Sequence, residues 1–244
     1  MSAPTSGLHA RLDEAVDSRF DEEVRFLQAL VRVPTDTPPG NNAPHAEKTA
    51  ELLEAMGLQV EKHPVPKWAL DEYGLQSITN LVVRRRFGEA GPAGSEGSAR
   101  GPTIALNAHG DVVPPGEGWT HDPYGGEIVE GKLYGRASAV NKSDFATYTF
   151  ALRALESLAA PLRGNDSEVV AVRGNQSEVV PLRGNQSEVV PLRGTVELHF
   201  TYDEEFGGEL GPGWLLSNRI TRPDLLIAAG FSYQVVTAHN GCLQ

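Results

Sequence analysis

Apolar side chains recur at spacings of three and four residues in three segments of the chain. This period predicts amphipathic helices over residues 8–33, 44–56 and 144–159. Apolar runs and strict alternation predict strands at 58–61, 80–87, 103–108, 195–201 and 224–229, of which the last is expected to be buried. Strands that alternate with helices are typical of an α/β domain with a substantially parallel sheet.

Residues 161–190 interrupt this alternation with three ten-residue units, PLRGNDSEVV, AVRGNQSEVV and PLRGNQSEVV. One interpretation is that the Val-Val pairs form short strands around Arg-Gly-Asn turns. The other is a tandem duplication within a surface loop. The duplication is favoured because loops tolerate insertion and because excision would leave a simple connection from helix to strand.

The charge balance and the length narrow the class of protein. The chain has 244 residues, with 21 basic against 32 acidic side chains and a net charge of −11. This balance argues against nucleic acid or an anionic membrane surface as a partner. No apolar run approaches the roughly 18 residues of a membrane span. Cys242 is the single cysteine, and the N-terminus lacks a secretory pattern, so a cytoplasmic protein is expected.

The first candidate for chemistry is His109-Gly110-Asp111, which follows the predicted strand at 103–108. In open α/β sheets, ligands bind beyond the carboxyl ends of the strands. A metal-binding histidine needs an acceptor for its second ring nitrogen, and a nearby carboxylate is such an acceptor. The triplet therefore indicates a ligand, His109, oriented by Asp111. The alternative is a structural histidine with satisfied hydrogen bonds.

The second candidate is Asp203-Glu204-Glu205, which follows the predicted strand at 195–201. Three consecutive carboxylates repel one another unless water or a cation stabilises them. Neighbouring side chains diverge in an extended chain, so one glutamate could bind a metal while the other acts as general base. The alternative is a solvated acidic turn. A loop rich in proline and glycine, with Trp119 as an apolar wall or as a core residue, lies between the two motifs.

The segments NAHGDVVPPGEGWTHDPYGGEIVEGKLYGR and TYDEEFGG together resemble the zinc aminoacylase and carboxypeptidase family, which includes acetylornithine deacetylase, succinyl-diaminopimelate desuccinylase and glutamate carboxypeptidase. The resemblance runs from about residue 20 to the C-terminus and covers roughly the first half of a full-length member. It implies a three-layer, zinc-exopeptidase-like α/β domain with a largely parallel mixed sheet, truncated before a lid or dimerisation domain. It also implies one or two divalent metal ions, zinc with cobalt or manganese as alternatives.

By the same resemblance, His109 and Glu205 are metal ligands, Glu204 is the general base and Asp111 orients His109. Two positions depart from the family pattern: Val140 replaces the metal-bridging aspartate, and Gly230 stands where an acidic ligand is usual. Asp144 is the candidate replacement for the bridging ligand. Its alternative role is to stabilise the N-terminus of the predicted helix, where a carboxylate is favourable.

These observations predict residues 1–230 as the N-terminal part of a metallopeptidase catalytic domain, with the repeat inserted at 161–190, and residues 231–244 as the start of the lid domain. The resemblance implies hydrolysis of an amide bond in an N-acyl amino acid or small peptide, by a protein that dimerises only through the missing lid. As a fragment the chain is expected to be poorly active or inactive. The alternatives are a non-catalytic relative that binds ligands, a single-metal variant, and an unstable gene fragment. Four other histidines lack a partner pattern and are interpreted as structural or exposed: His45, His63, His121 and His199.

Overall fold

The computed structural model describes residues 5–88, 101–159 and 192–228, together with the backbone of 171–173 and 176–178. Within these ranges the helices are α1 (Thr5–Asp17), α2 (Phe20–Val31), α3 (Ala43–Ala55), α4 (Lys67–Tyr73), α5 (Lys142–Leu158) and α6 (Pro212–Ser217). The strands are β1 (Val60–Pro64), β2 (Thr79–Phe87), β3 (Thr103–His109), β4 (Glu127–Val129), β5 (Lys132–Tyr134), β6 (Ala171–Arg173), β7 (Gln176–Glu178), β8 (Gly194–Thr201) and β9 (Leu225–Ala228).

Five of these strands form one mixed sheet in the order β1-β2-β8-β3-β9. The pairings β1–β2 and β2–β8 are antiparallel, whereas β8–β3 and β3–β9 are parallel. The α/β class and the mixed sheet predicted from the sequence are therefore confirmed. The parallel half of the sheet is the half that carries both candidate motifs at its strand ends.

The two faces of the sheet differ in chemistry, because successive side chains of a strand point to opposite faces. On one face, Leu198 and Phe200 of β8 join the buried cluster that α2, α3 and α5 complete, and Phe200 stacks on Phe145 with ring centroids 4.5 Å apart. Each such buried aromatic stabilises the fold by roughly 1.5–3 kcal/mol. The other face of β8 carries Glu197 and His199, and the segment after α6 packs against it. The sheet thus has helices on one face, and residues 220–221 bond to side chains on the other.

The polar face of β8 contains a buried hydrogen-bond network centred on the Glu197 carboxylate. Nε of Arg84 donates to it at 2.9 Å, the hydroxyl of Thr221 donates to it, and Nε2 of His199 lies 2.9 Å away. A second guanidinium nitrogen of Arg84 donates to the carbonyl oxygen of Ile220. His199 is thus a structural residue, in agreement with its sequence-based interpretation.

The helical period did not predict where the helices end. The single helix expected at 8–33 is two helices, because Arg19 leaves the helical region with φ −116° and ψ 6°. Apolar spacing continues across this break and does not reveal it. The short α4 was not predicted; it ends at Gly74, which has the left-handed conformation common after helices. No helix in the described ranges has the length and hydropathy needed to span a bilayer.

The prediction that the last strand is buried was wrong for β9. In the described part of the chain, Leu225, Leu226 and Ile227 are 59%, 46% and 54% exposed. The strand lies at the edge of the sheet, where it pairs with β3. A short apolar run does not by itself distinguish a central strand from an edge strand.

Within the repeat, the described backbone forms one hairpin. β6 and β7 pair antiparallel, with Ala171 opposite Glu178 and Arg173 opposite Gln176. This hairpin is a two-stranded sheet of its own and is not part of the five-stranded sheet. The Val-Val pairs predicted to form strands lie outside the described residues.

Candidate active site

The two candidate motifs meet at one edge of the sheet because β3 and β8 are parallel neighbours. His109, the last residue of β3, is in register with Thr201, the last residue of β8. The backbone N–H of Gly110 then donates to the carbonyl oxygen of Thr201 at 2.8 Å, which extends the pairing by one residue. Gly110 leaves no room for a side chain, since a Cβ there would lie 2.6 Å from Cε1 of Tyr202.

Asp111 joins the two strand ends through its buried carboxylate. One oxygen, Oδ1, lies 3.3 Å from Nδ1 of His109 and accepts the backbone N–H of Glu204 at 3.3 Å. The other, Oδ2, accepts the backbone N–H of Glu205 at 3.1 Å. The structure therefore places Asp111 where it can orient both the histidine ring and the acidic turn.

His109 presents one ring nitrogen to Asp111 and the other to Glu204. Its Nδ1 is also 3.0 Å from the carbonyl oxygen of Asp111, so Nδ1 carries the proton of the neutral ring and Nε2 keeps a lone pair. Nε2 lies 3.8 Å from Oε2 of Glu204. Burial favours the neutral ring, but the hydrogen bond and charge of Asp111 and the charge of Glu204 outweigh it and raise the pKa of His109.

Glu204 and Glu205 lie on a short 3-10 turn, Glu204–Phe206. The Glu204 side chain is 62% exposed and faces His109. The charge of His109 and the backbone N–H of Val113 act to lower the pKa of Glu205. Burial, and then the charges of Glu204 and Asp111, nevertheless raise the pKa of Glu205.

Asp203 has a different environment from the two glutamates that follow it. It is buried, and its carboxylate accepts the backbone N–H of Leu210. Burial raises its pKa to about 6 although the amides of Leu210 and Gly211 oppose the shift. Gly211 has no side chain for a physical reason, since a Cβ there would lie 2.2 Å from Oδ1 of Asp203. Asp203 thus closes the turn, and the carboxylates that remain at the sheet edge are two, not three.

Asp144 lies in the first turn of α5. Burial raises the pKa of Asp144, while the charge of His109 acts in the opposite direction, so the two side chains interact electrostatically. The side chain of Val140, two residues before the helix, has no atom that could bind a metal. Gly230 lies outside the described residues.

The predicted donors do not form a complete metal site. Among the residues that the structure describes, no three His, Cys, Asp or Glu side chains lie close enough together to hold a metal ion. Zinc in proteins ordinarily takes three or four protein ligands. The donor set His109, Glu205 and Asp144 thus does not by itself fit a tightly bound zinc ion.

The sequence did not predict that residues 35–37 hydrogen-bond to the backbone of the histidine motif. The hydroxyl of Thr35 donates to the carbonyl oxygen of Gly110 at 2.6 Å, and the backbone N–H of Thr37 donates to that of Val112 at 2.8 Å. In the sequence, the proline-rich run that contains both threonines indicates only the end of a helix. Trp119 is 39% exposed and donates its indole N–H to Pro115, so it is not a core residue.

Comparison with known proteins confirms the resemblance found in the sequence. Residues 105–172 match the model of Peptidase family M20/M25/M40. The chain is 30% identical over 148 residues to succinyl-diaminopimelate desuccinylase of Rhodospirillum centenum. The aligned region covers 60% of this chain and 33% of the relative. It is 39% identical over 139 residues to the enzyme of the same name from Wolinella succinogenes, covering 57% and 31%. The chain therefore spans about a third of the length of these relatives.

Solved structures agree on the fold. The dipeptidase Dug1p of Saccharomyces cerevisiae aligns with a TM-score of 0.55 and 14% identity, over 86% of this chain and 37% of that protein. An M20 family metallo-carboxypeptidase of Sulfolobus solfataricus aligns with a TM-score of 0.54 and 16% identity over the same shares. The described domain thus has the fold of part of these larger proteins, and the desuccinylases are its homologues.

Proposed function

We propose that this homologue of the M20 peptidases is the N-terminal part of a metal-dependent amidohydrolase that cleaves an amide bond in an N-acyl amino acid or short peptide. Similarity to the M20 family model and to the desuccinylases supports the coarser part of this proposal, a hydrolase of the peptidase and desuccinylase type. The observation that carries the finer proposal is the convergence of His109, Glu204 and Glu205 on the single buried carboxylate of Asp111.

Each of these residues has a proposed role that fits its environment. His109 offers the lone pair of Nε2 to a metal ion, because Asp111 occupies Nδ1. Glu205 is the second ligand and Asp144 the candidate third. A divalent metal held there, zinc with cobalt or manganese as alternatives, would polarise the amide carbonyl and would lower the pKa of a water.

Glu204 is the proposed general base. Its carboxylate is exposed and lies at the open side of His109, where it can accept a proton from the attacking water. The same carboxyl group can then donate that proton to the amine that leaves. The described residues do not complete the metal site. The remaining ligands would come from residues outside the described ranges or from the rest of a longer protein.

The domain organisation belongs to the same proposal. Residues 1–230 would form the N-terminal part of the catalytic domain, with the repeat of 161–190 as an insertion, and residues 231–244 would begin a lid domain. Dimerisation would depend on that lid. The substrate would be a small molecule or short peptide, with no role for nucleic acid or membrane, in the cytoplasm.

A second candidate function is ligand binding without catalysis. Val140 at the position of the bridging ligand favours it, as does the incomplete donor set. The paired glutamates favour the hydrolase, because a binding protein has no use for a base beside a ligand. Metal binding by the chain separates the two candidates.

The test is titration of the purified chain with cobalt, followed by visible absorption, for the wild type and two histidine variants. We expect stoichiometric binding that His109→Ala abolishes. The matched control is His63→Ala, which removes a histidine paired with a carboxylate, Glu61, on β1. Binding that survives His109→Ala would contradict the proposed ligand role, and no binding at all would leave the hydrolase proposal to a longer protein that supplies the missing donors. In a full-length protein, Glu204→Gln should keep the metal and lose turnover.

A further inference from the structure

Two tryptophans meet on the outside of the domain, where α4 and α6 approach each other. The rings of Trp68 on α4 and Trp214 on α6 have centroids 6.0 Å apart and planes tilted by 53°. Trp214 is half-buried and packs against the core, whereas Trp68 remains 64% exposed. The two rings thus form a tryptophan surface, Trp68 and Trp214, that is open to solvent on the side of Trp68.

Packing between the two helices does not account for the exposure of Trp68. Its side chain is the most exposed large apolar side chain in the described part of the chain. A ring left in water forfeits the stabilisation that burial of an aromatic side chain provides. Apolar surface that stays open and is bordered by polar groups marks an interaction site in soluble proteins. The groups that border this ring therefore indicate what it contacts.

Two carboxylates border the tryptophan surface. Glu72 lies four residues after Trp68 on α4, and residues four apart are neighbours on a helix surface. Glu209 lies beside the start of α6, because its Cβ is 3.9 Å from the position that a Cβ of Gly213 would take, and Gly213 adjoins the second tryptophan. The hydroxyl of Tyr73, the last residue of α4, donates to the Glu209 carboxylate. This bond holds the carboxylate between the two helices.

No cation balances these two carboxylates within the described part of the chain. Neither Glu72 nor Glu209 takes part in an ion pair there. The one basic residue of α4, Lys67, is paired with Asp71. The hydrogen bond from the tyrosine orients Glu209 but does not cancel its charge. An approaching cation is therefore attracted by both carboxylates.

We propose that the tryptophan surface, together with Glu72 and Glu209, binds an arginine side chain of a partner polypeptide. A cation within about 6 Å of an aromatic ring is attracted to its face, most strongly when the ring is tryptophan. Arginine fits better than lysine, because its planar guanidinium stacks on an aromatic ring and still presents N–H groups to a carboxylate. A neutral apolar partner would gain nothing from the two carboxylates, and an acidic partner would be repelled.

The test is a titration of the whole chain with N-acetylarginine amide and with its uncharged isostere N-acetylcitrulline amide, followed by NMR of the indole N–H groups. The chain has three tryptophans, so the indole signals of Trp68, Trp119 and Trp214 report on the two places separately. We expect the arginine compound to bind about fivefold more tightly. It should shift the signals of Trp68 and Trp214 but not that of Trp119. Added salt should weaken the preference, because both carboxylates are exposed.

Substitutions separate the ring from the charges. Trp68→Leu keeps an apolar side chain but removes the ring, and should abolish the preference for the arginine compound, whereas Trp68→Phe should keep part of it. Glu72→Gln combined with Glu209→Gln should lower the preference to about twofold or less and leave binding of the citrulline compound unchanged. The matched control is Trp119→Leu, which removes the tryptophan of a different loop, 39% exposed, and should change neither affinity.

Four results would overturn the inference. They are indole signals of Trp68 and Trp214 that respond to neither compound, equal binding of the two compounds by the wild type, a preference that survives Trp68→Leu or the double glutamine substitution, and an equal loss in Trp119→Leu. Amide spectra show whether each variant is folded, and the phenylalanine and glutamine variants keep the test decisive if Trp68→Leu does not fold. None of these readouts needs a metal ion or His109, so their failure is distinct from failure of the proposed function.

Discussion

The Asp111 carboxylate is the contact that holds the candidate active site together, and Asp111→Asn tests it with almost no change in volume. Three donors face this fully buried group: Nδ1 of His109 and the backbone N–H groups of Glu204 and Glu205. A carboxylate only accepts hydrogen bonds, whereas the asparagine amide carries an NH2 group that donates. In the variant, at least one donor must therefore face another donor.

The expected loss of stability follows from this count. A buried donor without an acceptor costs about 1–3 kcal/mol, and the remaining bonds lose the strengthening that the charge provides. Removal of the charge also relieves the cost of burying it, which offsets part of the loss. We expect the free energy of unfolding to fall by about 2 kcal/mol, which for a domain of this size lowers Tm by about 4–8 °C.

Urea unfolding measures this loss, and nitrogen-15 NMR of the His109 ring measures its orientation. In the wild type the neutral ring should carry its proton on Nδ1, and in Asp111→Asn a substantial fraction should move to Nε2. The matched control is Asp122→Asn, since Asp122 accepts one backbone N–H, that of Tyr124, on an exposed loop. A change below about 0.5 kcal/mol, the usual range of surface substitutions, together with an unchanged tautomer would refute the bridging role of Asp111.

Three further predictions concern the parts of the domain around the site. Burial acts to raise the pKa of Glu197, but its three hydrogen-bond donors lower it from 4.5 to about 2. The ionised Glu197 therefore stabilises the fold by about 2–3 kcal/mol above pH 4.5, and this stabilisation is lost as the pH falls toward 2. Glu197→Gln should flatten that part of the stability curve measured by urea unfolding, and an unchanged slope would contradict the shift. Gly110→Ala should cost about 1–3 kcal/mol because the new Cβ overlaps the Tyr202 ring; equal stability would show that the ring moves away freely. Deletion of residues 161–190 should leave the unfolding midpoint unchanged, and insoluble protein would mean that the repeat packs into the domain.

The meeting of the two motifs at one edge of the sheet was predictable from the apolar pattern of the strands that precede them. Both β3 and β8 have unambiguous apolar patterns, and parallel neighbours carry their C-terminal ends at the same edge. The pairing of His109 with Asp111 was also predictable, since a separation of two residues across a tight turn brings a ring nitrogen near a carboxylate. Local spacing alone decides the second of these contacts.

The environment of each carboxylate was not predictable, because burial depends on contacts between distant segments. Asp203, Glu204 and Glu205 are adjacent and chemically alike, yet Leu210 and Gly211 enclose only the first. The exposure of β9 has the same origin, since a strand's position in a sheet depends on what packs beside it. Apolar spacing encodes neither effect.

The contacts that orient the site and the atoms that would bind a metal are separable in this domain. The orienting contacts connect His109, Asp111, the acidic turn and Thr35, and all lie within the described residues. The donor set, in contrast, is incomplete there. Because the orienting bonds run through buried backbone groups, they do not depend on a cation to hold them. The geometry of the sheet edge should therefore persist without metal, so that a failure to bind cobalt would point to missing donors and not to a collapsed site.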